Sequence, residues 1–407
     1  MFQRLLSFLF ALLCLTGIWR TARLALADYY ARGSGTTSEQ IQQAIKLEPG
    51  DATYVYQRAV LDERAGPISG QLLQRALFLN PRFTRARLEL AIRKESEGDF
   101  AGAEANLLDA AAADRTWAPR WALANYFLRR SNLAGFWQWI RLAAAVPYSD
   151  PDLIFPLCWR VSDNAAEILE RAIPPVAEIR KRYLAYLLAE SRLSGAESLV
   201  SEFLSDATDS DRDLLLRYCD RMLEEKRADT AVRVWNAMAG RGVLPYPALA
   251  ASAGMSLTNG DLSSEPLSRG FDWRIAEVGE ISSAYFGARR ELRIAFSGRQ
   301  PESCEVLRQY LPVEPGKQYT LRIRYRTERL TGKTGLHWRA YNALGGELPG
   351  ESALPASEDG TEAALSFLPP AGCSLAILKL NYGRPLGSTR AEGDLVLRNM
   401  VLDRRPP

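Results

Sequence analysis

The sequence predicts a multidomain chain in which an all-α solenoid is followed by an all-β sandwich, with one transmembrane helix at the N-terminus. Three observations lead to this fold class. An uncharged apolar run fills residues 5–19, apolar residues then recur with a 33-residue period, and alternating strand-like runs fill the chain after residue 256. Glycine and proline become about twice as dense after residue 255, which indicates a domain boundary there.

Composition excludes several classes of function. The 407 residues carry a net charge of +3, without the basic excess that is typical of a nucleic-acid-binding protein. His337 is the one histidine, so zinc sites built on several histidines are excluded and at most one Ser-His or Cys-His pair remains. The sequence contains no P-loop, dinucleotide-binding glycine pattern, nucleophile elbow or EF-hand loop. We therefore expect no enzymatic activity and no cofactor.

The apolar run is the first predicted element. It is followed by Arg20 and Arg23 and preceded by Arg4. A bilayer needs about 20 residues of helix, so this run can span it only if the flanking arginines extend toward the headgroups. We predict an uncleaved anchor in residues 1–27. The alternatives are a signal peptide cleaved after Ala25-Leu26-Ala27 and an amphipathic or buried helix.

Two further features concern the compartment. No second apolar run of this length occurs, so a single-pass protein is expected, with the bulk of the chain on the extracytoplasmic side. The five cysteines contain no C-x-x-C pair, which excludes a zinc ribbon and a thioredoxin-like motif. Cys304 and Cys373 could form a disulfide in an oxidising compartment, and two isolated buried thiols are the alternative.

The 33-residue period occupies the predicted helical domain, residues 28–240. Its clearest copy has apolar and turn residues at Leu90, Ala91, Gly98-Asp99-Phe100, Ala103, Leu107 and Ala110. The next copy has Leu123, Ala124, Leu133, Phe136, Ile140 and Ala143. Small residues at these offsets allow two antiparallel helices to approach closely. The pattern resembles the tetratricopeptide (TPR) repeat over about residues 38–240.

The resemblance implies stacked helix pairs whose first helices line a concave groove for a partner protein. In the two clearest copies the groove-facing positions are predicted to be Arg85, Leu88, Ile92, Trp121, Asn125 and Leu128. The alternative for each tryptophan of this region is that it fills space between helices.

A linker is predicted at residues 241–256 and a β-sandwich at residues 257–407. The predicted strands are 291–296, 305–311, 318–326, 335–341, 362–367, 373–382 and 393–403. The order of features resembles jelly rolls of the galactose-binding and carbohydrate-binding-module type. The features that carry the likeness are Asn259-Gly-Asp261, Gly270-Phe-Asp-Trp273, Leu292–Phe296, Gln309–Gly316 before Tyr319, and Gly393–Leu397.

Alternation assigns a face to each side chain of these strands and places Trp338 in the core. If the strands are neighbours in one sheet, its outward face is basic and hydrogen-bonding. Its members are Arg293, Arg322, Arg324, His337, Arg339, Tyr341 and Lys379. Such a face could bind an acidic polysaccharide through bidentate arginine contacts. A solvated sheet face, or one packed against the helices, is the alternative.

The sequence therefore favours a membrane-anchored scaffold that binds a partner protein through its helical repeats and a glycan through its sandwich. Proteins of this build resemble accessory factors of bacterial surface-polysaccharide assembly or export. One alternative is a purely protein–protein assembly factor with a structural sandwich, and another is a polysaccharide-modifying enzyme of unfamiliar motif. A structural calcium ion could be held by Asn259, Asp261 and Asp394, although carboxylates at strand ends more often cap turns.

Overall fold

A computed structural model of the chain describes residues 2–33, 35–61, 67–146, 151–330 and 333–405. Within these ranges the predicted fold class is confirmed. Helices fill the N-terminal half, and two antiparallel sheets form the C-terminal part. Contacts group the chain into two compact units, Met1–Tyr183 and Leu184–Pro407, which are described in turn.

The first unit is helical. Its helices are α1 Phe2–Ala31, α2 Ser38–Leu47, α3 Ala52–Leu61, α4 Pro67–Leu79, α5 Thr84–Ser96, α6 Phe100–Ala113, α7 Trp117–Arg129, α8 Leu133–Ala144, α9 Pro151–Val161 and α10 Ala165–Arg171, and α11 Ala177–Ala189 continues into the second unit. Consecutive helices pack as pairs, α3 on α4, α5 on α6 and α7 on α8. The antiparallel pairs expected from the period are therefore present.

The 33-residue period reappears in the way the second helix of each pair begins. The Asp99 carboxylate accepts a hydrogen bond of 2.9 Å from the Gly102 amide, and Asn132 accepts one of 3.0 Å from the Gly135 amide, 33 residues later. These contacts satisfy amides that lack a partner in the first helical turn. Gly135 also permits close packing, because a Cβ there would lie 2.6 Å from the Phe127 ring.

Helix α1 has two different environments along its length. Phe8 to Thr21 are exposed, and Phe8–Ala31 is long and apolar enough to cross a membrane, with a mean hydropathy of 1.5. Further along, Ala27 and Ala31 are buried in one cluster with residues of α2 and α3. The Tyr54 hydroxyl donates a 2.6 Å hydrogen bond to Asp28. The helix therefore runs without interruption from an exposed apolar segment into a packed layer.

The second unit contains three helices and the strands. The helices are α12 Ala196–Ser205, α13 Arg212–Glu224 and α14 Ala228–Gly240. The strands are β1 Arg274–Ile275, β2 Ile281–Phe286, β3 Glu291–Ser297, β4 Ser303–Pro312, β5 Gln318–Glu328, β6 Leu336–Asn342, β7 Glu347–Ala353, β8 Thr361–Phe367, β9 Leu375–Gly383 and β10 Glu392–Arg405. All seven predicted strands are present, whereas β1, β2 and β7 were not predicted.

The strands form two five-stranded antiparallel sheets. We call β1-β4-β9-β6-β7 the first sheet and β2-β3-β10-β5-β8 the second sheet. Apolar side chains from both sheets form one core, which includes Tyr319, Trp338 and Leu397. Trp338 is fully buried, as alternation predicted, and its ring meets that of Trp273 at 5.9 Å between centroids.

The pairing of β4 with β9 shows whether Cys304 and Cys373 can form a disulfide. Cys304 lies opposite Tyr382, at the far end of the strand pair from Cys373, which precedes β9. Nine residues of extended strand span about 30 Å, far beyond the 7 Å that a disulfide allows between Cα atoms. The disulfide hypothesis is therefore wrong. Both thiols are free, and burial raises the pKa of each.

The predicted linker, residues 241–256, is packed rather than extended. Val243, Leu244 and Tyr246 are buried. The Asn236 side chain of α14 exchanges two hydrogen bonds with the backbone of Leu249, at 2.7 and 2.8 Å. Contacts group α12, α13 and α14 with the strands, whereas composition places a boundary in this segment.

Candidate functional site

The first candidate site is a groove on the helical repeats. It has a volume of about 560 Å³ and lies between α5 and α7, the first helices of two neighbouring pairs. Its lining residues are Ile92, Glu95, Ser96, Leu107, Trp121, Ala122, Asn125 and Arg129. In stacked helix pairs the first helices line the concave side, and this cavity lies on two such helices.

The structure brings three of the six predicted groove residues together here, namely Ile92, Trp121 and Asn125. The other three lie outside the lining, with Arg85 exposed and Leu88 and Leu128 half-buried on α5 and α7. Three of the six predicted positions therefore line this cavity, and all six lie on α5 and α7, the helices that the period indicated.

Apolar surface forms the floor of this groove. Ile92 is 58% exposed, although it is a large aliphatic residue on a packed helix. The half-buried Trp121 ring stacks on Trp117, with centroids 5.0 Å apart. The Asn125 side chain donates a 2.9 Å hydrogen bond to the Trp121 carbonyl, which fixes its orientation. The groove therefore offers a rigid aromatic surface beside an exposed aliphatic one.

A salt bridge closes one side of the groove. Arg129 of α7 donates two hydrogen bonds to the Glu95 carboxylate of α5, at 2.8 and 2.7 Å. The hydrogen bonds from Arg129 hold the pKa of Glu95 below its usual range. Sequence reasoning missed both residues, although Glu95 follows Ile92 by three positions and Arg129 follows Asn125 by four. That spacing places them on the predicted face.

The predicted basic face of the sandwich is divided between two surfaces. Arg293, Arg322 and Arg324 belong to the second sheet, through β3 and β5. His337, Arg339, Tyr341 and Lys379 belong to the first sheet, through β6 and β9. The assumption that all seven residues lie in one sheet is therefore wrong. Alternation shows which side of a strand a side chain lies on, but it does not show which strands are neighbours.

Acidic partners occupy the charged members of both surfaces. Arg322 pairs with Asp403 at 2.8 Å and Arg324 with Glu362 at 3.3 Å. Arg293 pairs with Glu328. On the first sheet, Arg339 bridges Glu347 and Glu351 at 3.2 and 3.0 Å, and Lys379 pairs with Glu305 at 2.8 Å. These ion pairs neutralise each surface and weaken its attraction for an acidic glycan.

The most enclosed charge on the second sheet is Glu291, which is buried. Its carboxylate accepts hydrogen bonds from Arg326 at 3.0 Å and from Arg398 at 2.7 Å. The three residues lie on the neighbouring strands β3, β5 and β10. Burial raises the pKa of Glu291, but the hydrogen bonds and charges of the two arginines outweigh it and hold the pKa below its usual range.

The second candidate site is a polar pocket of about 620 Å³ at one end of the sandwich. It lies where β3 ends and β10 begins, and its lining includes the cations Arg329, Lys333 and Arg390 with Ser388 and Thr389. Arg329 is 81% exposed at its side chain and pairs with the buried Asp394 at 2.9 Å. No sequence pattern predicted this pocket, because its cations come from loops rather than from strands.

The residues considered for calcium have other partners. Asp394 pairs with Arg329, Asp261 pairs with Arg290 at 3.4 Å, and the Asn259 side chain bonds the backbone of Ser264. Within the described ranges, no group of three or more histidine, cysteine or acidic side chains is positioned to hold a metal ion.

A buried polar cluster joins the last helix pair to the start of the sandwich. Arg274 pairs with Asp220 of α13 at 2.5 Å, and the Gly270 amide donates to the same carboxylate at 2.7 Å. Tyr246 donates a 2.7 Å hydrogen bond to the fully buried Asp272. Burial raises the pKa of Asp220 and of Asp272. We call this set, with the Trp235 ring, the joint.

Aromatic packing completes the joint. The Trp235 ring of α14 stacks on Tyr246 at 5.9 Å and meets Phe271 edge-on at 5.7 Å. Gly270 has a φ of +57°, and a Cβ there would lie 2.4 Å from Trp235. The sequence singled out Gly270-Phe-Asp-Trp273 as a feature of the sandwich, but not its contact with α14.

No protein-family model matches the chain, and no curated protein matches it. Solved structures do match. The helical part is similar to YrrB, described as a TPR protein with an unusual peptide-binding site, at 13% identity over 51% of this chain and 94% of that chain, with a TM-score of 0.25. It is also similar to the pilF protein of Pseudomonas aeruginosa, at 15% identity over 55% and 91%, with a TM-score of 0.26. The β part is similar to a CBM4 structure, at 11% identity over 37% and 100%, with a TM-score of 0.29. At these identities the likeness concerns the fold alone.

Proposed function

We propose that this chain is a non-enzymatic, membrane-anchored scaffold that binds a segment of a partner protein in the groove between α5 and α7. The exposed apolar floor of that groove carries the proposal. Ile92 and Trp121 present apolar surface that a partner side chain would remove from water, and each 40 Å² so buried contributes about 1 kcal/mol. The Glu95–Arg129 pair beside the floor offers hydrogen-bonding groups that would fix the register of the segment.

We include the membrane anchor in this proposal and assign it to an uncleaved α1. Cleavage after Ala27 would remove a fully buried residue from the first packed layer. It would also remove Arg23, which pairs with Glu48 at 2.9 Å. The remaining chain would lie on the extracytoplasmic side, and a role in bacterial surface-polysaccharide assembly or export suits such a scaffold.

Replacing Ile92 with glutamate is expected to weaken peptide binding at least about tenfold, because a partner side chain would then desolvate a carboxylate. The probe is a twelve-residue peptide selected from a random phage-displayed library on the full chain in detergent micelles. Affinity is measured by fluorescence anisotropy of the labelled peptide. Leu108→Glu on α6 is the control, because Leu108 is an exposed aliphatic residue outside the groove lining. Equal affinity for both variants would place peptide binding elsewhere.

We propose a second function for the sandwich, the binding of an acidic glycan in the pocket at the end of β3. The observation that favours it is the convergence of Arg329, Lys333 and Arg390 in a polar pocket of about 620 Å³, where these three cations outnumber the two acidic lining residues, Glu392 and Asp394. Arg329 pairs with Asp394, and Arg390 pairs with Glu302 at 3.5 Å, so a glycan carboxylate would share these two arginines. Arginine donates paired hydrogen bonds to carboxylate and sulfate groups. Serine and threonine hydroxyls in the same lining would bond the sugar hydroxyls.

Arg390→Ala is expected to reduce binding to an acidic polysaccharide about tenfold at low salt, and less at high salt because counterions screen the contact. The measurement is binding of the full chain to an array of acidic and neutral polysaccharides at two salt concentrations. Arg322→Ala and Arg339→Ala are the matched controls, since they lie on the two sheet faces. If only these control variants lost affinity for the polysaccharide, the glycan would bind on a sheet face and not in the pocket. Absence of binding to every acidic glycan would leave a purely protein–protein assembly factor.

A further inference from the structure

We propose that one end of the first unit lies against the bilayer surface and contacts anionic lipid headgroups. We call this end the lipid-facing end and define it by Lys46, Arg75, Phe78 and Arg82. The proposal rests on the proposed membrane anchor in α1. It adds a second contact with the bilayer, made by the helical repeats themselves.

Two contacts fix the height of α3 along the axis of α1, and we call this height its level. Arg23 pairs with Glu48, just after the end of α2, at 2.9 Å. Tyr54, in the first turn of α3, bonds Asp28 at 2.6 Å. The connection between α2 and α3 therefore lies beside the part of α1 that directly follows the apolar run. Because the helix is continuous there, no flexible linker separates this connection from the bilayer.

Helix α4 returns to the same end. The Ser69 hydroxyl donates a 2.9 Å hydrogen bond to the Ala59 carbonyl, so the start of α4 lies beside the end of α3. Phe78, nine residues later, is then level with residue 50. Beyond α4, the Phe83 ring just before α5 meets the Tyr56 ring at 5.1 Å, so the connection between α4 and α5 lies beside the N-terminal half of α3.

The distance of Phe78 from the end of the apolar run follows from these contacts. Residue 50 lies in the connection between α2 and α3, and the Arg23–Glu48 pair places this connection beside residue 24 of α1. That residue lies five positions beyond Trp19, the end of the apolar run. At 1.5 Å per residue, Phe78 lies about 7.5 Å beyond the apolar run, at the outer limit of the headgroup region.

The chemistry of this end suits an anionic bilayer surface. Phe78 is 86% exposed, and aromatic side chains favour the membrane interface. Lys46, Arg75 and Arg82 are exposed cations at the same end. Such cations are attracted by the negative surface potential of a membrane that contains anionic lipid. Two carboxylates lie at the same end: Glu48 is paired with Arg23, and Asp51 accepts a 2.7 Å hydrogen bond from the Thr53 amide. The three exposed cations outnumber the one carboxylate that has no cationic partner among them, so the end keeps a net positive charge.

The test uses the full chain reconstituted into vesicles of phosphatidylglycerol and phosphatidylcholine with a photoreactive lipid whose reactive group lies near the headgroup. Mass spectrometry locates the labelled residues. We expect label in α1 and in residues 75–83. Labelling of 75–83 is expected to fall about fivefold when phosphatidylglycerol is omitted or when Arg75 and Arg82 are both changed to serine, since two cations contribute at least 1 kcal/mol.

Phe78→Ser is expected to lower the labelling of residues 75–83 about fivefold and to leave α1 labelled. Ile68→Ser is the matched control, because Ile68 is 55% exposed on the first turn of the same helix, about 15 Å from Phe78. Label in α1 without label in 75–83 would overturn this inference and leave the anchor standing. Absence of label in α1 would overturn the anchor and this inference with it.

Discussion

Replacing Glu291 with glutamine is expected to lower the free energy of unfolding of the sandwich by about 2 kcal/mol at pH 7. The change removes the one carboxylate that Arg326 and Arg398 share across three strands. Arg398 then loses its carboxylate partner, whereas Arg326 keeps Glu328 at 2.9 Å. The expected cost is therefore that of the lost charge-assisted hydrogen bonds to a buried acceptor. Urea unfolding followed by circular dichroism in the β region measures the change.

Glu362→Gln is the control, because its partner Arg324 has a 69% exposed side chain. An exposed pair contributes less than about 1 kcal/mol. The effect of Glu291→Gln should also depend on pH. Since folding lowers the pKa of Glu291, its stabilisation is present above the unfolded pKa and is lost as pH falls through the folded pKa. The stability difference between the two chains should therefore begin to shrink as pH falls below the unfolded glutamate pKa of about 4.3 and should keep shrinking in stronger acid. A difference that persists undiminished in acid would contradict the assigned ion pairs.

Asp272→Ala is expected to lower the free energy of unfolding of the second unit by about 3 kcal/mol. The fully buried carboxylate accepts hydrogen bonds from the Tyr246 hydroxyl and the Leu267 amide, each at 2.7 Å, and from the Trp273 amide at 2.8 Å. Removing it leaves these donors buried without an acceptor. Urea unfolding followed by tryptophan fluorescence reports the loss, since Trp235 and Trp273 lie in or beside the joint.

Two comparisons make this expectation specific to the joint. Asp261→Ala changes an exposed carboxylate in the same segment and should cost less than about 1 kcal/mol. The double variant Tyr246→Phe, Asp272→Ala should lose less free energy of unfolding than the two single variants lose together. The reason is that each single change already removes the same Tyr246–Asp272 hydrogen bond. Strict additivity would show that this hydrogen bond does not contribute to stability.

Local periodicity sufficed for most of the fold. The 33-residue period identified the helix pairs, and the caps at Asp99 and Asn132 repeat with the same spacing. Alternation predicted the strands that have one buried and one exposed face. It missed β2, whose side chains are mostly exposed, and β7, in which Pro349 and Gly350 interrupt the alternation. Local signals therefore succeed where burial follows a regular period and fail at irregular edges.

The candidate sites depended on long-range pairing, which local patterns do not contain. Strand order separated Arg293 from Arg339, and pairing register separated Cys304 from Cys373. The joint forms between Asp220 and Arg274, 54 residues apart, and the Glu291 cluster includes Arg398, 107 residues away. Only the groove could be found in part, because its residues lie at helical spacing on two consecutive repeats.

The joint also limits how this chain can be divided or recombined. A cut at the composition boundary would expose the Trp235 ring on the helical side and Phe271 on the other, along with the carboxylates of Asp220 and Asp272. A protease that nicks residues 241–256 should leave both fragments associated. By the same reasoning, a foreign sandwich could replace this one in a chimaera only if it supplied its own aromatic and arginine partners for α13 and α14. Helices α13 and α14 and the sandwich therefore behave as one structural piece.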